Sequence, residues 1–467
     1  MIFNFFKFVV IIYKYSRFVY SLYLLKRDES EKNIEFVKQC ATASGPLAIK
    51  LLQFTVMSAS DIIKPEHFKF VFEDCCYHTL EETEKLYLQD FGKSIHEDYI
   101  IKENDVVGSG SIGQVYKCFC KKTNEYIAMK VKHPGINDNV DITVYALKIV
   151  CFLLQSINHF HYIFIQYIDN IYLQIDYKQE SINTMTLKEK FKNESLVVIP
   201  EIYNYSCNFI TMSYHEAKNY NEVSQHHKLL ASMYINFIYL TSTLIYDFLH
   251  ADLHHGNWKI IENGNDIKIL IYDCGIMCHT GDLDFNIKIV EISASGRCRF
   301  MEVFDLIIKN NPKLKNRIDK NRHKFLELAT YKSNVKSTQT LSLFLRRMLK
   351  LRLLQDKNII NLMTSISIIG DTPKQSIDVF IKYIMFPTGT TALLYHVYLD
   401  FIVKIGKFKD LENFLKDYLM NSKNKDGKTY TEIYQDWLYE EFGHRKGYIV
   451  TDIIYKLFFP ETKSLTV

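Results

Sequence analysis

The chain has 467 residues, of which 48% are hydrophobic and 24% charged, a balance typical of a folded globular protein and not of a long disordered chain. Its net charge of +4 is small for this length and its basic residues are dispersed, so we expect no nucleic acid partner. The ten cysteines lack the paired spacing of a zinc site. We therefore expect free thiols in an intracellular, reducing compartment and no structural zinc.

Residues 1–27 contain no acidic side chain, five basic ones and many large apolar ones. One side of a helix here would carry Asn4, Lys7, Lys14, Arg17 and Ser21, which predicts an amphipathic helix. The basic residues interrupt the apolar stretch too often for a membrane span, and no signal-peptide cleavage pattern follows. Two alternatives stay open, a helix on a membrane surface and a helix packed on the protein body. Mitochondrial targeting is not decided by this segment.

The remaining elements predict an α+β protein, with a sheet-containing lobe followed by a helical lobe. Helices are predicted at 33–40, 45–59 and 64–78, and strands at 100–107, 114–120 and 126–132. Further along are predicted helices at 141–154 and 165–191, strands at 197–202 and 208–214, and mainly helices after 226. A strand–loop–strand region from 249 to 276 interrupts the last helical part.

A glycine-rich segment, 108–115, reads GSGSIGQV and fits the pattern GxGxxGxV. Glycines let the backbone approach phosphates closely, and exposed amide groups bind phosphate oxygens. The nucleotide-binding candidates are Gly108, Gly110, Ser111 and Gly113. An ordinary glycine-rich hairpin is the alternative. The predicted strand–loop–strand setting argues against a dinucleotide fold, in which a helix follows the loop.

Lys130 ends the segment IAMK on the third predicted strand, and this segment matches the VAIK pattern of nucleotide-binding kinases. An ammonium in an apolar strand needs a charged partner or a ligand, because an unpaired buried charge is costly. Glu180, on a helix farther along, is the best candidate partner. A surface lysine with a solvated glutamate is the alternative.

The segment 250–257 reads HADLHHGN and places Asp252 five residues before Asn257, the spacing of a kinase catalytic loop. Asp273 follows an apolar strand and begins Asp-Cys-Gly, in the place of a DFG motif. Asn257 and Asp273 offer hard oxygen ligands for magnesium, while Asp252 can orient or deprotonate a nucleophile. The three histidines of this region are a weaker zinc alternative, since no suitable cysteine pair or HExxH accompanies them.

These segments resemble those of the ABC-one/UbiB/ADCK family of atypical protein-kinase-like proteins. The stretch SIGQVY at 111–116 is similar to the family's SIGQVY, IAMKVKHPGI at 127–136 to VAVKVQRPGI, and HADLHHGN to HADPHPGN. The resemblance covers residues 40–300. It implies a bilobal protein-kinase-like fold and links the chain to ubiquinone biosynthesis and lipid homeostasis.

The family also carries a KxGQ motif on a helical extension over the nucleotide. Lys50 and Gln53 resemble it, although Leu52 replaces the glycine. Gln174 and Asp176 resemble the family's ExD element, so the ion pair between its glutamate and the KxGQ lysine is altered here. The family's nucleotide loop is alanine-rich and this one is glycine-rich, which implies a changed nucleotide preference. Cys274 replaces the DFG phenylalanine.

The resemblance implies four segments: a basic amphipathic segment at 1–27, a helical KxGQ-type extension at 28–99, an N-lobe with inserted helices at 100–214, and a helical C-lobe at 215–467. We expect ATP or ADP with Mg²⁺ as cofactors. Lys130, fixed by Glu180, would contact the phosphates, and Asn257 and Asp273 would hold magnesium. Asp252 would position the nucleophile.

The expected activity is that of an atypical kinase or ATPase acting on a small or lipid-related molecule. No APE-like element, where a protein kinase builds its peptide platform, occurs at 276–284. Three alternatives stay open: a protein kinase that uses the glycine loop, a nucleotide-binding scaffold without turnover, and a membrane-surface module in which 1–27 dominates.

Overall fold

In a computed structural model the chain divides into two compact units. The first unit comprises Met1–Thr186, Pro200–His215 and Asp273–Ile276, and the second comprises Leu187–Ile199, Glu216–Tyr272 and Met277–Val467. The structure describes residues 2–58, 67–68, 71, 77–153, 168, 170–192, 194, 197–224, 227–228, 231, 234–235, 238–239, 242–264, 266–282, 285–286, 289, 301–326, 344–345, 347–354, 356–370, 427–429 and 432.

The first unit contains a sheet and the helices of the N-terminal part of the chain. Its helices are α1 (Ile2–Arg27), α2 (Glu31–Ser44), α3 (Pro46–Ser58), α4 (Leu80–Phe91), α5 (Ile95–Asp98), α6 (Ile136–Leu153) and the first part of α7 (Tyr177–Lys190). Its strands are β1 (Tyr99–Ile100), β2 (Val106–Ser109), β3 (Gly113–Cys120), β4 (Glu125–Lys132), β6 (Ile202–Tyr205) and β7 (Phe209–Ser213).

The sheet is antiparallel, in the order β1-β3-β4-β7-β6, and β2 pairs with β3. Along β3 buried side chains alternate with half-buried ones, as the two-residue period of a strand requires. Tyr87 of α4 and Ile95 of α5 join a core cluster with Tyr116, Met129 and Phe209 of the sheet. This packing fixes β3 and β4, the two strands that carry the glycine loop and Lys130.

Helix α1 packs on α2 and α6. It buries an apolar stripe consisting of Tyr15, Phe18, Val19, Leu22 and Leu25. Packing on the protein body, one of the two predicted alternatives, is therefore what this helix does in the structure. Placing Ser21 on the polar side was wrong, because Ser21 is fully buried and its hydroxyl donates to the Phe18 carbonyl at 2.7 Å. Phe6–Arg27, with a mean hydropathy of 1.3, is also long and apolar enough to cross a membrane by length and composition.

Several predicted boundaries need correction. The strand predicted at 100–107 is two strands, because a 3₁₀ turn at Glu103–Asp105 separates β1 from β2. The helix predicted at 165–191 is interrupted at Asp176, which is not helical. The strand predicted at 197–202 is split between a two-residue strand at Val197–Val198 and β6. Most of the helix predicted at 64–78 lies outside the described residues.

The second unit contains β5 (Val197–Val198), β8 (Leu249–His250), β9 (Trp258–Asn263), β10 (Asp266–Ile271) and β11 (Met277–Cys278). β10 pairs with β5 in parallel and with β9 in antiparallel fashion, and β8 pairs with β11. The helices that follow are α8 (Glu302–Asn310), α9 (Lys315–Asn321) and α10 (Lys357–Gly370). These agree with the predicted helical part, of which 371–426 and 433–467 lie outside the described residues.

Candidate active site

A cluster of three charged side chains lies in the first unit. The Lys130 ammonium donates to both carboxylate oxygens of Glu180, with Nζ to Oε1 at 2.7 Å and Nζ to Oε2 at 2.9 Å. The Asp273 carboxylate lies on the same ammonium, with Oδ1 at 3.4 Å from Nζ. The side chains of Glu180 and Lys130 are 2% and 13% exposed, whereas that of Asp273 is 35% exposed. The structure thus joins three of the predicted site residues, and Asp273 is the member that solvent reaches.

The positions of Lys130 and Glu180 follow from the local structure. Lys130 lies in the middle of β4, between Val115 of β3 and Ile210 of β7. Glu180 lies in the first turn of α7. Asp176 caps the start of this helix, because the Asp176 carboxylate accepts a hydrogen bond from the Gln179 amide at 3.0 Å. An aspartate cap starts this helix at the point that turns Glu180 toward β4. Asp176, taken from the ExD resemblance, therefore has a structural role in the helix start.

The charges of this cluster shift the pKa values of Lys130 and Glu180. Burial alone would lower the pKa of Lys130, but the carboxylates of Asp273 and Glu180 outweigh it and the pKa is raised. Lys130 therefore stays an ammonium at neutral pH. Burial raises the pKa of Glu180 to about 7, against the attraction of Lys130. Two carboxylates thus compete for one buried cation.

Tyr177 packs against this cluster from the start of α7. Its ring centroid lies 5.1 Å from Nζ of Lys130 and 4.8 Å from Nζ of Lys132, within the range of cation–π attraction. Its hydroxyl is buried and has no hydrogen-bond partner among the described residues. Sequence reasoning missed Tyr177, because an aromatic residue at a helix start has no distinctive pattern.

The glycine-rich segment is the hairpin between β2 and β3, as its predicted strand–loop–strand setting requires. Gly108 pairs with Val115, and the Gly110 amide donates to the Gly113 carbonyl at 2.9 Å. Ser111, at the tip of this turn, is buried. A Cβ on Gly113 would lie 2.3 Å from the Tyr177 hydroxyl and 2.4 Å from the Val131 carbonyl oxygen. Glycine is therefore required at 113 by close packing around the lysine strand.

Two histidines hold the glycine turn from behind. His133 Nε2 donates to the Gly110 carbonyl at 2.9 Å, so its Nδ1 accepts from His78 Nδ1 at 2.8 Å. His78 Nε2 then accepts from the Thr83 hydroxyl at 2.9 Å, which in turn accepts from Tyr116 at 3.0 Å. Burial lowers the pKa of both histidines, so both imidazoles are neutral, and this donor order is one that two neutral rings allow. Neither histidine was predicted as a site residue, although His133 stands in the quoted segment 127–136.

Lys50 and Gln53, the KxGQ-like pair, lie three residues apart on α3 and are 6% and 4% exposed. Both side chains are buried in the first unit. Their place over a nucleotide stays a prediction.

The predicted catalytic loop lies in the second unit, between β8 and β9. The Asn257 side chain donates through Nδ2 to the Asp252 carbonyl at 2.7 Å, and the His254 amide donates to the same carbonyl at 2.9 Å. Asp252 and Asn257 are 3% and 6% exposed. Nδ1 of His250 accepts from the Asp252 amide and Nδ1 of His254 accepts from the Gly256 amide. Two of the three histidines considered for zinc, His250 and His254, thus shape the loop through their rings.

The segment after β10 begins at Asp273, whose φ of 61° is unusual for a residue other than glycine. The next residue, Cys274, is buried, and its carbonyl accepts from Asn183 of α7 at 2.8 Å. Burial raises the pKa of the Cys274 thiol to about 12, so the thiol stays neutral. The strained backbone and the contact with α7 hold the Asp273 carboxylate beside Lys130.

Comparison with known protein families gives an independent result. Residues 71–292 match the family model described as the ABC1 atypical kinase-like domain. This segment, called here the ABC1 domain, is similar to that family over slightly less than half of the chain. The predicted resemblance is confirmed, and so is the mixed helix-and-sheet, kinase-like fold class with an N-terminal helical extension.

Three relatives of the ABC1 domain are named kinases. An uncharacterized aarF domain-containing protein kinase, chloroplastic, of Arabidopsis thaliana is 24% identical and is matched over 50% of this chain and 34% of its own length. The AarF domain-containing kinase 1 of Drosophila melanogaster is 25% identical, over 48% of this chain and 46% of its own length. The probable protein kinase UbiB of Blochmanniella pennsylvanica is 28% identical, over 37% of this chain and 34% of its own length. The chain thus spans less than half of each relative, and their names support a kinase-like enzyme.

The ABC1 domain should tolerate alanine at one glycine of its loop and not at another. Gly113→Ala should lower the free energy of unfolding by roughly 1–3 kcal/mol, because its Cβ meets the Val131 carbonyl, which cannot move without bending β4. Gly108→Ala is the matched control, since a Cβ there meets no atom within 4 Å. Urea denaturation measures both. Equal midpoints for the two variants would contradict the proposed packing.

The histidine pair should make the ABC1 domain acid-sensitive. Burial and the neighbouring His133 lower the pKa of His78 to about 4, whereas an unfolded histidine titrates near 6.5. The unfolded chain therefore takes up the proton first, and stability is complete above pH 6.5 and lost as the pH falls toward 4. His78→Gln should flatten the decline of the unfolding free energy between these pH values. An unchanged slope in the variant would exclude His78 as its source.

Proposed function

We propose that this chain binds Mg-ATP and transfers or hydrolyses the γ-phosphate, as an atypical kinase or ATPase with a small or lipid-related acceptor. The observation that carries the proposal is the buried Lys130 ammonium held by Glu180, with Asp273 on its accessible side. A strand lysine paired with a helical glutamate is the arrangement that kinases use on nucleotide phosphates. Names of the relatives as kinases support the same activity.

Lys130 supplies the positive charge for the phosphates. Glu180 is a positioning residue, because it holds the ammonium in place without reaching solvent. The backbone of the hairpin with Gly108, Gly110, Ser111 and Gly113 is proposed to cover the phosphates. Lys50 and Gln53 are proposed as a modified lid, in which Gln174 replaces the charged partner.

The chemistry of Asn257 and Asp273 fits Mg²⁺, which prefers hard oxygen ligands and keeps several waters. The amide nitrogen of Asn257 is engaged with the Asp252 carbonyl, which leaves its Oδ1 as the acceptor. The Asp273 carboxylate is 35% exposed and is therefore accessible to an ion. When bound, Mg²⁺ would neutralise phosphate charge and orient the γ-phosphate.

Asp252 is proposed to position the nucleophile and to receive its proton. It lies in a rigid loop, because its backbone carbonyl accepts from both Asn257 and His254. Phosphoryl transfer depends mainly on such positioning. A buried, fixed carboxylate is suited to orient a hydroxyl group or a water molecule.

The acceptor is proposed to be a small or lipid-related molecule, because 276–284 contains no APE-like segment on which to seat a peptide. Gly108 and Gly110 favour a protein kinase as the second candidate. Leu52, Gln174 and Cys274 favour a scaffold that binds nucleotide without turnover. We also propose that the protein is located in a reducing compartment. Residues 1–27 are proposed to contact a membrane surface.

The test is the binding and hydrolysis of ATP and ADP by the full chain, with and without magnesium. Lys130→Met removes the ammonium proposed for the phosphates, and Asp273→Asn removes a carboxylate proposed for Mg²⁺. Each should weaken Mg-ATP binding, and turnover should fall on the order of a hundredfold. Asp252→Asn should keep nucleotide binding and lose turnover. Lys122→Met, an exposed lysine in the β3–β4 turn, is the control and should change neither.

Absence of nucleotide binding in the parent protein would refute the proposal. Binding that survives in both Lys130→Met and Asp273→Asn would move the site elsewhere. Binding without turnover in the presence of candidate acceptors would favour the scaffold.

A further inference from the structure

A cavity of about 480 Å³ lies beside the N-terminal helix. It is lined by α1, by the junction of α2 and α3, by the turn at Pro134 and Gly135 that precedes α6, and by the first part of α6. This volume falls in the range of small-molecule sites, roughly 300–1,000 Å³. The described apolar lining includes Phe6, Val10, Ile11, Leu47, Pro134 and Ile136.

Tyr15 is among the residues that line this cavity, and its side chain carries a buried polar group. Its side chain is 2% exposed, and its hydroxyl has no hydrogen-bond partner among the described residues. A buried hydroxyl normally finds a partner, because leaving it unsatisfied costs stability. Burial also raises the pKa of Tyr15, so the hydroxyl is a neutral donor at physiological pH. A ligand oxygen would satisfy it.

The charge of the lining is of one sign. Lys7 and Lys14 stand seven residues apart, two turns along the same face of α1, and both line the cavity. Among the described lining residues there is no acidic side chain. An apolar wall, a buried donor and two ammonium groups are complementary to an amphiphile with a negative head.

We propose that this cavity binds a single-chain amphiphile with an anionic head group, of the fatty-acid type. The head accepts a hydrogen bond from Tyr15 and is attracted by Lys7 and Lys14, while the chain lies on the apolar lining. The site needs no nucleotide, and it is independent of the function proposed for Lys130. It borders Pro46, the first residue of α3, so an occupant contacts the start of the helix that carries Lys50.

The test is calorimetric titration of the full chain, in detergent-free buffer, with three probes kept below their micelle concentrations. Dodecanoate and dodecyl phosphate share the anionic head and separate a carboxylate from a phosphate source, and dodecyltrimethylammonium reverses the charge. We expect saturable one-to-one binding of dodecanoate and at least tenfold weaker binding of the cation. A preference for dodecyl phosphate would keep the site and reassign the head group to a phosphate.

Tyr15→Phe removes only the hydroxyl and should weaken dodecanoate binding roughly tenfold. The thermal midpoint of the free variant should be unchanged or higher, because an unsatisfied buried group has been removed. Tyr13→Phe is the matched control on the exposed side of α1 and should bind as the parent does. Lys14→Gln should weaken both anionic probes, while Lys32→Gln, an exposed lysine of α2, should weaken neither.

Equal binding of the anionic and cationic probes would overturn the proposal, as would undiminished binding to Tyr15→Phe. If the ligand-free Tyr15→Phe variant has a lower thermal midpoint and binds dodecanoate with unchanged affinity, the hydroxyl has a structural role and not a ligand-binding one. Flotation with phosphatidylglycerol vesicles, without any saturable dodecanoate site, would assign α1 to a membrane surface and reject the cavity as a ligand site.

Discussion

A buried ammonium group requires compensating charge, and this requirement organises the residues around Lys130. Lys130 lies on β4, which is paired with β3 on one side and β7 on the other. Strand pairing thus fixes the backbone position of Lys130 independently of its charged partners. Glu180 satisfies it from α7, and the helix can reach β4 because Asp176 begins it at the right residue. Removing Lys130 would leave the buried Glu180 carboxylate without its counter-ion, a loss of roughly 3–5 kcal/mol, whereas removing Glu180 would leave Asp273 beside the ammonium.

The same cluster has an excess of negative charge. Two carboxylates face one ammonium, and the more exposed of them belongs to Asp273, which stands in a left-handed backbone conformation. Excess negative charge beside an exposed carboxylate attracts a cation and, through it, phosphate oxygens. Close packing of Tyr177 on Gly113 brings the glycine hairpin to the same place. Charge and packing together therefore favour a nucleotide site here over a purely structural ion pair.

Much of this could be predicted from the sequence, because β3 and β4 alternate regularly and Lys130 and Glu180 stand in recognisable segments. The predicted strand at 100–107 was wrong because Lys102 and Asp105 form a local capping turn, with the Lys102 amide donating to Asp105 at 2.8 Å. Ser21 was misplaced because a hydroxyl that bonds to its own helix can be buried. Tyr177 and the His78–His133 pair depend on contacts between distant segments, which a single sequence does not reveal.

The most direct measurement of the central claim is chemical labelling of lysine by an ATP acyl phosphate, followed by peptide mass spectrometry. The bound probe holds its acyl phosphate against the lysine at the phosphates, so acylation proceeds through the small unprotonated fraction of that amine, and proximity compensates for the raised pKa of Lys130. We predict labelling of Lys130 that excess Mg-ATP suppresses, with none at Lys132, whose ammonium is buried against the Ile175 carbonyl at 2.5 Å. Lys130 without label, while other lysines are labelled equally with and without competing Mg-ATP, would contradict the claim that this cluster is the nucleotide site.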